Sequence, residues 1–503
     1  MEISVLQGQI QKQRSPALVV NLFQGARPGG ATKAVDQALG GLISAALASG
    51  DFKGNNNELL LLYPGKNLRG FAARRVLVVG LGKQGEFTPE IARQAAGTAA
   101  RRLQELGVEE GATALHGSGA GGLDPEAAAQ ALAEASILSC YRFDHYRSGD
   151  QGGKELKALR VVESDAAKLG AIRRGLRAGS TIAAATCLAR DLGNHPGNVA
   201  TPSYLAGVAR RLARQQGLRC QVIDRRGMEK LGMGALLGVA QGSAEPPRLI
   251  VLEHNKEAGG RPLVFVGKGV TFDSGGISLK PGDKMEEMKF DMCGAAAVLG
   301  AMQAVASLKV PRYVVGLVAA TENLPDGRAF KPGDILKTLT GKTIEIVNTD
   351  AEGRLILADT LGYARRFQPA GVVDLATLTG ACVVALGSHA SGMMGNSEKL
   401  AEAVRRAGEH THERVWPLPL WDEHREQIKS DYADMKNTGG RPAGASTGAA
   451  LLAEFADQYP WVHLDIAGTA WETQTRPYVP KGCVGLGVRL LVQLARSWKG
   501  GGF

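Results

Sequence analysis

Residues 348–355 read NTDAEGRL, which sets Asp350, Glu352 and Arg354 close together with Asn348 just ahead of them. An upstream stretch, residues 263–291 (LVFVGKGVTFDSGGISLKPGDKMEEMKFD), carries Lys268, Asp273, Lys280 and Asp291 among glycines at 267, 269, 275, 276 and 282. Taken singly, each residue has an ordinary explanation. Asp350 and Asp291 could cap the helices that follow them, and Lys280 could be a solvated loop charge. Gathered in one site, Asp273, Asp291, Asp350 and Glu352 would repel one another unless a cation neutralised them. A divalent metal site, two ions sharing carboxylates, satisfies all four together. No histidine falls between residues 255 and 388 and no HExxH occurs. Such oxygen-rich ligation suits Mn, Mg, Zn or Co. A lysine beside such a site can stabilise the oxyanion of a tetrahedral intermediate. Arg354, at a helix start, can hold an anion through its fork and the helix dipole.

The elements that would position these residues are those of an α/β chain. A buried strand over 262–267 is expected to end at Gly267, with a glycine-rich loop carrying Lys268, Asp273 and Lys280. Asp291 would open the Ala-rich helix DMCGAAAVLGAMQAV. Strand TIEIVN (343–348) would run into the loop TDAEG, followed by helix RLILADTLGYARR. Loops leaving strand ends are where ligand sites form in such sheets. Further strands are expected at RLIVLEH (248–254), YVVGLVAA (313–320), VVDLATL (372–378) and WVHLDIA (461–467). Their continuous apolar runs fit a sheet covered on both faces. The first third reads as strands VLVVG (76–80), ATALHG (112–117) and ALRVVE (158–163), with helices over 89–106 and 125–143. The polar, Gly-rich RSGDQGGKE (147–155) is the best linker, and the tail KGGGF (499–503) is expected to fray. The expected division is an N-terminal α/β domain over 1–160, a linking helix over 161–190 and a catalytic domain over 191–503.

The chain has 503 residues, 44% hydrophobic and 21% charged, the balance of an ordinary globular protein. The net charge of +10 is spread as scattered arginine doublets, such as Arg74/Arg75 and Arg210/Arg211, without a basic block interleaved with aromatics. Solubility and acidic small ligands account for this better than a nucleic-acid surface does. Six dispersed cysteines without a CxxC pair indicate reduced thiols. With no apolar leader at the N-terminus and no apolar run expected to cross a bilayer, the expected location is the cytoplasm.

Gly80-Leu81-Gly82-Lys83-Gln84-Gly85 matches the spacing of a dinucleotide fingerprint after a strand. The next strand lacks the terminal acid that would hold a ribose, so a plain strand-to-helix turn is the favoured reading.

The stretches GKGVTFDSGGISLKP (267–281) and NTDAEGRL (348–355) resemble the signatures of the leucine aminopeptidase (cytosol aminopeptidase) family of two-metal exopeptidases. RDLGNHPGNVATP (190–202), MKFDMCGAAAV (288–298), ATLTGA (376–381), DMKNTGGRPAGA (434–445) and HLDIAG (463–468) resemble it too, in the same order. The similarity covers about 190–490, and the N-terminal third matches only loosely, at segments such as YRFDHY (141–146).

The resemblance implies that Lys268, Asp273, Asp291, Asp350 and Glu352 are metal ligands, Lys268 as a neutral amine. It implies two divalent ions per subunit (Mn or Zn), with Asp291 also helping to bind the substrate's amino group. Lys280 would stabilise the gem-diolate, and Arg354 would hold bicarbonate as general base. Met288, Asn348, Thr377, Gly380, Ala467 and Ala470 would lie near the substrate. The implied fold is two α/β domains, the larger one holding a mixed, mostly parallel sheet sandwiched by helices. The implied activity is release of leucine and other apolar N-terminal residues from short peptides by a homohexamer. Two other readings stay open: DNA binding, since some family members double as DNA-binding regulators, and hydrolysis of phosphoesters.

Overall fold

A computed structural model describes residues 1–65, 68, 71–149 and 155–500. Most of the expected linker's Gly-rich centre, and the last three residues of the tail, lie outside the described residues. The chain divides into two compact units, Met1–Ala184 with Gln474–Pro480, and Ala185–Thr473 with Lys481–Phe503. The division falls inside one long helix, Leu169–Asn194.

In the first unit, β1 (Glu2–Gln7), β2 (Leu18–Leu22), β3 (Leu59–Leu62), β4 (Val76–Gly80), β5 (Glu110–Thr113) and β6 (Ala158–Glu163) form one sheet in the order β1-β6-β5-β2-β4-β3. All neighbours are parallel except β3 and β4. The central strands are buried apolar runs, and Leu18, Val20, Val76 and Val78 form the heart of a core with Val35 and Ile43. Helices Pro89–Glu105 and Pro125–Ser139 each begin with proline and are capped by Thr88 and Asp124. The GLGKQG turn is held by packing. A Cβ on Gly80 would stand 2.0 Å from the Asn55 carbonyl oxygen, and one on Gly82 2.3 Å from Asn56 Oδ1.

The second unit contributes, in chain order, β7 (Arg219–Ile223), β8 (Arg248–His254), β9 (Leu263–Asp273), β10 (Val314–Asn323), β11 (Ile335–Lys337), β12 (Thr343–Glu345), β13 (Gly371–Ala376), β14 (Ser391–Gly395), β15 (Val415–Pro417), β16 (Met435–Lys436) and β17 (Trp461–Asp465). Eight of these form a mixed sheet in the order β15-β14-β17-β13-β9-β10-β8-β7. Its four central strands, β17, β13, β9 and β10, are mutually parallel and buried along most of their length.

In the second unit the structure moves three expected elements that bear on the candidate site, and in the first unit the strand expected at 112–117 forms at Glu110–Thr113. Strand β9 runs to Asp273, so Lys268 and Asp273 lie on a strand and its end instead of in a loop. Gly267 lets a helix approach closely, since a Cβ there would stand 2.5 Å from the Gly294 carbonyl oxygen, and a Cβ on Gly269 would stand 2.7 Å from the Ala319 carbonyl oxygen of β10. TIEIVN yields only β12, which pairs with β11 and β16 in a separate three-stranded sheet. Asp291 lies in a 3-10 segment, Met285–Met292, that precedes helix Cys293–Ser307. Together these form a stretch long and apolar enough to cross a membrane, contrary to the sequence reading; 89% of its apolar window is buried inside the protein, as a core helix would be.

Candidate active site

The carboxyl ends of β9, β10 and β13 lie side by side, the place where open α/β sheets carry their sites. Strand β9 delivers Lys268 and, five residues on, Asp273, both buried. Asp273 Oδ1 accepts from Gly275 N at 2.9 Å and from Asn323 Nδ2 at 2.8 Å, so the end of β10 fixes the carboxylate at the end of β9. Gly275 and Gly276 take φ of +88° and +67°, which turns the chain back on itself. Lys280 N then reaches the Ser274 carbonyl at 2.9 Å. The turn sets Lys280 Nζ 2.8 Å from Asp273 Oδ2 and in contact with Asp350 Oδ1.

Asp350 and Glu352 follow from the turn after residue 347. Asn348 Oδ1 accepts from Asp350 N at 2.9 Å, and Thr349 Oγ1 donates to the Gly275 carbonyl at 2.6 Å, tying the two loops together. Glu352 is the first residue of helix Glu352–Ala364. Lys268 Nζ lies 2.8 Å from both Asp291 Oδ2 and Glu352 Oε1, and donates to the Thr377 carbonyl at 3.0 Å. Thr377 Oγ1 in turn donates to Asp291 Oδ1 at 2.6 Å.

Six of the predicted charged residues thus form one connected cluster. Burial opposes the charge on Lys268, but Asp291, Glu352 and Asp273 outweigh it and hold the ammonium above its usual range. Lys280 is held up in the same way by Asp273, Glu352 and Asp350. Burial pushes the carboxyls of Asp291, Glu352 and Asp350 upward, against the pull of the lysines.

The cluster fits divalent metal. Asp273, Asp350 and Glu352 offer oxygens that all lie within 4.8 Å of one another. Glu352 Oε2 is buried without a hydrogen-bond partner. Four carboxylates face two ammonium groups, so negative charge is left uncompensated within the cluster.

Arg354 is buried, donates from Nη1 to the Asn437 carbonyl at 2.7 Å, and has an Nε without a partner. Of the expected substrate residues, Thr377 and Asn348 touch the cluster directly. Met288 shares the 3-10 segment of Asp291. Gly380 starts helix Gly380–Leu386 and is exposed. Ala467 N donates to Asp465 Oδ1 at 3.2 Å, and Ala470 is buried. The sequence reading passed over Asn323 and Asn437. Asn323 stands just past the apolar run that marked its strand, so its side chain gave no signal. Asn437 lies in DMKNTGGRPAGA and holds Val347 N, at 2.8 Å, and the Asn348 carbonyl, at 2.6 Å.

Residues 187–492 match the model of the cytosol aminopeptidase family's catalytic domain, and residues 19–150 match that of its N-terminal domain. The chain belongs to the cytosol aminopeptidase family. It is 47% identical to a probable cytosol aminopeptidase of Geobacter sp., over 99% of this chain and 100% of the relative. It is 48% identical to one from Syntrophotalea carbinolica, over 96% and 97%. Among solved structures it is similar to a mutant of tomato leucine aminopeptidase, with TM-score 0.86 and 32% identity over 99% of this chain and 96% of that one. It is also similar to the bottromycin maturation enzyme BotP in complex with Mn, with TM-score 0.84 and 35% identity over 96% and 99%. The protein is therefore a metal-dependent aminopeptidase, a hydrolase acting on peptides.

Proposed function

We propose that this enzyme uses two divalent ions, Mn or Zn, to release leucine and other apolar residues from the N-termini of short peptides. The observation that carries the reading is the convergence of buried Asp273 and Glu352 with half-buried Asp350, with Glu352 Oε2 left without a protein partner. Lys268, Asp273, Asp291, Asp350 and Glu352 would hold the ions, which supply Lewis acidity toward a carbonyl and a water of lowered pKa.

The chain's own residues do the rest. Asp291, anchored by Thr377, also helps to bind the substrate's free α-amino group. Lys280 donates from Nζ to the carbonyl oxygen as negative charge develops on it. Arg354 holds bicarbonate by its guanidinium fork; its buried, unpartnered Nε favours an added acceptor there. Met288, Asn348, Thr377, Gly380, Ala467 and Ala470 would surround the side chain being released. Domains over 1–160 and 191–503 joined by a helix, a homohexamer, and a cytoplasmic location complete the reading.

The free amine is the discriminating requirement. Leucyl-p-nitroanilide should be hydrolysed, and N-acetyl-leucyl-p-nitroanilide and p-nitrophenyl phosphate should not. Turnover of the acetylated anilide, or of the phosphate ester alone, would refute the reading.

A further inference from the structure

The first unit holds a cavity of about 540 Å³ that plays no part in the chemistry above. Its position follows from topology. From β2 the chain runs outward to β3 and β4; from β5 it runs the opposite way, to β6. The adjacent strands β2 and β5 are therefore a switch point, where diverging connections leave a crevice beyond the carboxyl ends. The cavity occupies that crevice, between the end of β2 at Asn21–Phe23 and the loop after β5 at 114–121. Its volume is that of a small-molecule site, for which roughly 300–1,000 Å³ is usual.

The lining specifies a ligand chemistry. Ile10, Leu22, Phe23, Leu115 and Val162 make an apolar floor. On one side stands the first turn of helix Gly30–Ala38, which no side chain caps, so its leading amides are open to an anion. Arg27 adds positive charge at the rim, as does Lys168, whose Nζ lies 3.9 Å from Asp165 Oδ2. Glu163, ending β6, accepts from Asp165 N on Oε1 at 2.9 Å and supplies a carboxylate at the rim as a partner for hydroxyl groups. Gly29 and Gly119 also line the cavity. Neither has a left-handed φ, and a Cβ on either would meet nothing within 4 Å. Neither backbone nor packing requires glycine there, whereas close approach of a ligand to the main chain would. An anion at one end, an apolar body and a hydroxyl partner together describe a nucleotide.

We propose that the first unit binds a nucleoside diphosphate in this cavity, with its diphosphate on the Gly30–Ala38 first turn and Arg27 and its nucleoside on the apolar floor. The test is calorimetric titration of the full-length, metal-loaded protein with ADP, pyrophosphate and adenosine, on the parent chain, Gly119→Leu and Arg27→Glu. The expected result is saturable one-to-one ADP binding, with pyrophosphate and adenosine each at least about tenfold weaker. Both variants should weaken ADP by about tenfold or more while hydrolysing leucyl-p-nitroanilide at the parent rate. Arg27 is exposed, so its variant keeps the test decisive even if Gly119→Leu misfolds. Three results would overturn the proposal: no saturation at millimolar ADP, ADP binding undiminished by Arg27→Glu, or pyrophosphate binding as tightly as ADP.

Discussion

Lys268 lies across Gly353: a Cβ at position 353 would stand 2.8 Å from both Cε and Nζ of the lysine. The glycine at the second position of the Glu352–Ala364 helix lets a buried lysine reach Glu352 and Asp291. Gly353→Ala should therefore displace the amine without unfolding the helix, whose other positions are untouched. The expected outcome is a loss of about tenfold or more in metal affinity, with an unchanged circular dichroism spectrum. Metal titration of the purified variant checks it.

Proton release should accompany metal uptake. Without metal, Lys268 is held above its usual range and carries a proton, yet it can ligate only as the free amine. Asp291 and Glu352 are pushed upward by burial and must also be deprotonated to ligate. Affinity should therefore rise with pH and fall as the solution is acidified. Calorimetry in buffers of different ionisation enthalpy counts the protons. A count of zero would contradict the assignment of Lys268.

Asn323 tests the residue that the sequence left unmarked. It is fully buried and donates to both Asp273 Oδ1 and the Thr349 carbonyl, at 2.8 and 3.0 Å. Asn323→Ala should lower kcat/KM about 10- to 100-fold, as loss of a partner that orients a ligand does. A stability loss of about 1–3 kcal/mol should accompany it, since two buried acceptors each lose a donor.

That omission shows where the sequence was legible. Lys268, Asp273, Lys280, Asp291, Asp350 and Glu352 stood out because charges are rare among glycines and apolar runs. Strands such as 248–254 and 76–80 stood out because apolar residues filled them. The extent of β9 did not, because Gly267 and Gly269 read as a turn when they were serving close packing, Gly267 against a helix and Gly269 against β10. A neutral amide such as Asn323 or Asn437 has no compositional signature; only the fold brings it to a carboxylate or a carbonyl. The return of residues 474–480 to the first unit likewise has no local signal.

Acid should weaken the first unit through His116. The ring is buried, with Nε2 3.5 Å from Thr113 Oγ1 and Nδ1 unpartnered, and burial lowers its pKa to about 4. The folded state thus favours the neutral ring. Its contribution is fully present above the unfolded pKa, near 6.5, and is lost as pH falls toward about 4. The loss over that interval should be about 3 kcal/mol. All five tryptophans lie in the second unit, so hydrogen exchange of peptides near residues 110–123 is the suitable readout. His116→Phe should flatten the dependence.

The most direct test of the central claim is leucyl-p-nitroanilide hydrolysis by the protein as isolated, after chelation, and after adding back Mn²⁺ or Zn²⁺, with Asp350→Ala and Lys280→Ala alongside. The account predicts activity that disappears with the chelator and returns with metal. It predicts near-complete loss in Asp350→Ala through metal binding, and loss in Lys280→Ala that falls on kcat while metal is retained. Undiminished activity after complete chelation, or in either variant, would contradict it.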